Sequence, residues 1–145
     1  MNTTAKTRKT FFWHAMAIVL LAAGCAADGG YRGTSVTLSG AEEVPPVATS
    51  ATGSGTITIG ADKSVSGSVK TSGVAATAAH IHEAPAGKNG PVIVPLAKTS
   101  DNVWSVPAGA KLTDAQYQSF KAGNLYVNVH SAAHKGGEIR GQLKP

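Results

Sequence analysis

Between residues 34 and 143 the chain is a succession of short segments in which apolar and polar side chains alternate, each bounded by turn formers. A period of two puts successive side chains on opposite faces, the pattern of a strand with one buried face, whereas a helix repeats every 3.6 residues. The segments cover residues 34–38, 55–59, 64–70, 76–82, 92–97, 103–106, 125–130 and 138–143. Gly60-Ala61-Asp62-Lys63 joins the second and third as a hairpin, Pro45-Pro46 breaks the chain, and residues 86–91 form a turn cluster. Thirteen valines and 14 threonines against seven leucines agree with strands, because β-branched side chains favour the extended backbone. One helix is predicted, with Thr113 as N-cap, Asp114 in its first turn, Tyr117 and Phe120 on one face and Gly123 closing it. The expected fold is all-β: a β-sandwich or Greek-key barrel of about eight short strands with one short helix.

The N-terminal stretch has a different character. Lys6, Arg8 and Lys9 precede an apolar run from Phe11 to Ala23 interrupted only by His14. Such a run reaches roughly 20 Å as a helix, too short for a ~30 Å hydrocarbon core, and it matches a secretory signal. Its end, Leu21-Ala22-Ala23-Gly24-Cys25, resembles the bacterial lipobox, with leucine four rather than the more usual three residues before cysteine. That resemblance implies cleavage after residue 24, lipidation of Cys25 and anchoring to a membrane on its extracytoplasmic side. Ala26 rather than Asp after the cysteine favours the outer membrane, facing the periplasm or the cell surface, if the host has two membranes. The expected organisation is a signal at 1–24, a lipidated cysteine and tether at 25–33, and one β domain at 34–145. A chance cysteine behind an ordinary secretory signal is the plainer alternative.

Removing the signal removes three of the 13 Lys and Arg and none of the eight Asp and Glu, leaving +2 from Cys25 onward. No concentrated basic stripe remains, so a nucleic-acid partner is not expected. Nucleophile–base motifs, phosphate loops and paired carboxylates are also missing from the sequence.

Chemistry is concentrated in the histidines. Four of the five, His80, His82, His130 and His134, fall in two short segments. On a strand, His80 and His82 point to one face while Ala79 and Ile81 point to the other. Tyr126, Asn128 and His130 alternate with Leu125, Val127 and Val129, and Glu138, Arg140 and Gln142 alternate with Ile139 and Leu143. If these strands are neighbours, His80, His82 and His130 converge and His134 closes over them, a ligand set suited to copper or zinc. Glu83, Asn128, Glu138 and Arg140 are candidates to surround the ligands. The competing reading is a solvated polar ladder worth a few tenths of a kcal/mol per pair.

Four blocks resemble the chordin-type (CHRD) domain: residues 40–47 (GAEEVPPV), 79–82 (AHIH), 126–130 (YVNVH) and 137–143 (GEIRGQL). They lie in that family's order and span nearly all of residues 34–143. The resemblance implies an immunoglobulin-like β-barrel and no defined biochemical activity. Many members carry proline where this chain has His134. Residues 79–83 are also similar to the copper-ligand strand of copper–zinc superoxide dismutase, and there His130 and Arg140 would be the later ligand and the arginine beside the metal. The chain lacks that family's cysteine pair and its zinc-loop ligands. Three readings follow: a non-catalytic binding module holding copper or zinc, a dismutase-like copper enzyme, and a structural or protein-interaction domain without metal.

Overall fold

A computed structural model describes residues 1–2 and 33–145. Cys25, the apolar run before it and most of the expected tether lie outside the described residues. From residue 34 the chain forms nine strands: β1 (Thr34–Ser39), β2 (Thr52–Ile59), β3 (Val65–Ser72), β4 (Ala76–Glu83), β5 (Val92–Pro95), β6 (Ala97–Ser100), β7 (Val103–Ser105), β8 (Leu125–Ser131) and β9 (Ile139–Leu143). One helix, α1 (Asp114–Lys121), lies between β7 and β8.

All nine strands join one sheet in the order β5-β4-β8-β9-β1-β2-β3-β7-β6, with antiparallel pairing throughout. Its two edges, β5 and β6, are consecutive in the chain and meet at Leu96, whose N–H donates to the Ala79 carbonyl at 2.9 Å. The sheet therefore curls almost fully back on itself, which leaves little unpaired edge. The alternation read from the sequence accounts for its inside. Leu38, Ile57, Val69, Ile81, Leu125, Val127, Val129, Ile139 and Leu143 are all buried on the inner face. The expected all-β class holds.

One local difference has a clear cause. The segment expected at 92–97 is split into β5 and β6, because Pro95 has no N–H to continue a ladder and Leu96 turns the chain from one sheet edge to the other. The helix keeps its expected cap: the Thr113 hydroxyl accepts from Gln116 N–H at 3.2 Å and the Gln116 side chain accepts from Thr113 N–H at 2.9 Å. Ala122 is the C-cap, and Gly123 follows with φ +75°.

The outer face of β4, β8 and β9 is not bare. Residues 40–51, which begin with a 3₁₀ turn at Gly40–Glu42, and residues 84–91 lie over it like an apron. Asn89 ties the two coverings together by donating to the Val44 carbonyl at 2.7 Å. Tyr126, Asn128 and Arg140 are each 1% exposed although they face away from the barrel core. Around these residues β8 and β9 are thus buried on both sides, apolar within and polar without, while His80 and His130 stay half-buried.

Candidate metal centre

Antiparallel pairing of β4 with β8 builds the site. His82 stands opposite Tyr126, His80 opposite Asn128, and Ala78 opposite His130. His130 is therefore the diagonal neighbour of His80 on the outer face, a separation that long and aromatic side chains span. Their ring centroids are 4.9 Å apart, those of His80 and His82 5.5 Å, and those of His82 and His130 5.9 Å. One ring nitrogen from each lies within 4.8 Å of the other two.

Backbone carbonyls set the tautomers. His82 Nδ1 lies 3.0 Å from the Gly90 oxygen, and His130 Nδ1 lies 2.9 Å from the Lys135 oxygen. A carbonyl only accepts, so in both rings Nδ1 carries the proton and Nε2 keeps its lone pair. His82 Nε2 is buried and has no hydrogen-bond partner. His130 Nε2 faces His80 Nδ1 at 3.0 Å, a contact closed by the His80 proton when no metal is bound. Imidazoles that ligate metals ordinarily donate their second N–H in this way, which fixes ring orientation and raises ligand basicity.

Burial favours the neutral forms of His80 and His82. Burial pulls the pKa of His80 below the ordinary histidine value, and the charges of His130 and His82 act in the same direction. Burial likewise lowers His82, partly offset by its hydrogen bond to Gly90 and reinforced by His130 and Arg140. Unprotonated imidazole is the form that binds metal.

His82 and Tyr126 are stacked, their rings 4.9 Å apart and 9° from parallel. On the other side of that tyrosine the Arg140 guanidinium lies 3.5 Å from the ring centroid. Arg140 donates to the Lys88 carbonyl at 2.8 Å, the Pro85 carbonyl at 3.3 Å and Gln142 Oε1 at 3.2 Å. The Tyr126 hydroxyl accepts from Gly90 N–H at 3.1 Å. Arg140 and Tyr126 together pin the loop whose Gly90 carbonyl orients His82. An alanine at position 90 would drive its Cβ into the Glu83 carbonyl, so glycine is needed where the loop crosses β4.

Three of the four expected histidines converge and the fourth does not. His134 lies outside the cluster and shapes the β8–β9 turn instead: its N–H donates to Ser131 Oγ at 3.1 Å and its carbonyl accepts from Gly137 N–H. The residues expected around the ligands make their hydrogen bonds elsewhere. Glu83 accepts from the Ser119 hydroxyl on α1, and Glu138 accepts from Thr49 at 2.9 Å. Asn128 donates to Glu43 at 3.3 Å, and Arg140 stands one ring further out, behind Tyr126. The carbonyls of Gly90 and Lys135 do what those side chains were expected to do. Backbone carbonyls have no residue signature, so only the turn cluster at residues 86–91 points to one of them.

Glu43 is the buried group missed as a site component. Its carboxyl is 4% exposed, and burial raises its pKa to about 7 against the opposing pull of Arg140 and the Asn128 hydrogen bond. Glu43 Oε1 and Asn128 Oδ1 are both buried without partners, and both lie where a Cβ on residue 137 would stand, so Gly137, with φ +136°, leaves them room. A proton on Glu43 turns one of two facing acceptors into a donor.

The CHRD domain family model matches residues 34–143, most of the chain and all nine strands. The chain belongs to the CHRD family. No curated protein and no solved structure matches it. The CHRD domain here includes every residue of the histidine cluster and of the two covering segments.

Proposed function

We propose that this CHRD domain is a non-catalytic metal-binding module, in which His80, His82 and His130 hold a copper or zinc ion through neutral imidazoles. The chain presents it outside the cytoplasm on a lipid anchor at Cys25. One observation carries the metal reading: His82 Nε2 is a buried lone pair without a partner, in a cluster where carbonyls fix Nδ1 of both His82 and His130. An unpartnered buried polar atom costs on the order of 1–3 kcal/mol, and an ion at the cluster relieves that cost. A ligand set of imidazoles suits both zinc and copper by chemistry. The dismutase-like alternative gains no support from Arg140, which is 1% exposed and spends its donors on loop carbonyls, so it presents no steering charge to an incoming anion.

Competitive titration with Zn(II) and Cu(II) tests the proposal. The full chain is used with Cys25→Ser, which removes its lone thiol. One ion per chain is expected to bind tighter than about 1 µM, and His82→Ala or His130→Ala to weaken binding at least ~100-fold. His134→Ala is expected to leave affinity unchanged. Binding no tighter in the parent than in His82→Ala rejects the proposal.

The pH dependence has a definite sign. Protons compete with the ion for the imidazoles, so affinity falls as pH falls. His80 and His82 are held below the ordinary value of about 6.5, so their protonation does not compete until the pH is below that value. Affinity that declines between pH 8 and 7 contradicts this.

A further inference from the structure

The ligand count of the cluster says what its metal can do. Among the described residues, His80, His82 and His130 are the one group of three or more candidate ligands, and no fourth joins them. The nearby candidates are committed elsewhere. Glu83 is hydrogen-bonded to Ser119, Glu138 to Thr49 and Glu43 to Asn128, while His134 lies outside the cluster. Structural zinc sites are closed by four protein ligands, whereas three leave a position for water or an exogenous ligand, and Cu(II) likewise takes more than three ligands.

Burial shows which side is free. His82, stacked on Tyr126 beneath the 84–91 loop, is buried, while His80 and His130 are half-buried. The ion is therefore covered on the His82 side and faces solvent past the other two rings.

Charge shows what would enter. All three ligands are neutral and no carboxylate joins them, so a divalent ion keeps its full charge. Resting on the metal-site reading, we propose that the bound ion keeps an exchangeable coordination position, open past His80 and His130, that takes a small anion from solvent.

Azide is the probe, on the full chain with Cys25→Ser loaded with one Cu(II). The expected result is a new ligand-to-metal absorption band that saturates at one azide per copper, with a shifted electron paramagnetic resonance spectrum and copper retained throughout. His134→Ala is expected to give the same titration, because that ring does not fill the position. An unchanged spectrum with copper bound at His80, His82 and His130 overturns the inference while leaving the metal site standing. Release of copper by azide also overturns it, since the anion then displaces a protein ligand instead of occupying a free position. Failure of the chain to bind copper or zinc at all overturns the metal reading itself.

Discussion

Arg140→Ala is expected to destabilise the domain by about 3–5 kcal/mol, the combined cost of buried carbonyls left without donors and of a large side chain removed from a packed site. Arg140 is among the largest fully buried side chains, and its guanidinium is compensated by carbonyl oxygens and a tyrosine face. Truncation leaves the Lys88 and Pro85 carbonyls without their donors and opens a cavity beside Tyr126. Arg140→Lys is expected to recover little, because one ammonium cannot both stack on the ring and reach two carbonyls from a planar fork. Metal affinity should fall with it by roughly 10–100-fold, since a loosened 84–91 loop no longer holds Gly90 against His82. Urea unfolding gives the first quantity and metal titration of the folded fraction the second. A loss below about 1 kcal/mol, the level of an exposed charge, contradicts the account.

Glu43→Gln is expected to stabilise the domain at alkaline pH and to do little in acid. With a pKa of about 7 when folded against an ordinary 4.5, Glu43 binds its proton more tightly in the folded chain. Its contribution is complete below 4.5 and is lost as pH rises to about 7, beyond which the loss is constant. Glutamine, equal in size and always neutral, escapes the loss. The gain is expected to be about 3 kcal/mol at pH 8 and below about 1 kcal/mol at pH 5. His80 and His82 act the opposite way, their low folded values costing stability as pH falls below about 6.5, but they are common to both chains and cancel in the difference. Chemical denaturation of both chains at the two pH values measures it. A variant less stable at pH 8 would mean that ionised Glu43 is held by Arg140.

Much of this was legible in the sequence, for identifiable reasons. Alternation in 125–130 and 138–143 separates Leu125, Val127, Val129, Ile139 and Leu143 from Tyr126, Asn128, His130, Arg140 and Gln142, and the barrel keeps that division. The His-x-His of β4 placed both rings on one face for the same reason, and pairing with β8 supplied His130. Alternation does not tell whether the polar face is wet. Here two loops cover it, so Tyr126, Asn128 and Arg140 are buried where a strand pattern alone predicts exposure. Loop cover depends on contacts such as Asn89 to Val44, 45 residues apart, which no local pattern encodes. Glu43 was hidden in the same way: an acidic residue before two prolines reads as a surface turn until the apron closes over it. His134 misled because four residues separate it from His130, yet the β8–β9 turn spends that stretch on its own hydrogen bonds.

The most direct test follows the histidine ring nitrogens by nitrogen-15 magnetic resonance while Zn(II) is added to the full chain carrying Cys25→Ser. The account predicts that Nε2 of His82 and of His130 become metal-coordinated at one equivalent while Nδ1 of each stays protonated against Gly90 and Lys135. Ring nitrogens of His82 and His130 that remain unshifted at saturating zinc would contradict it.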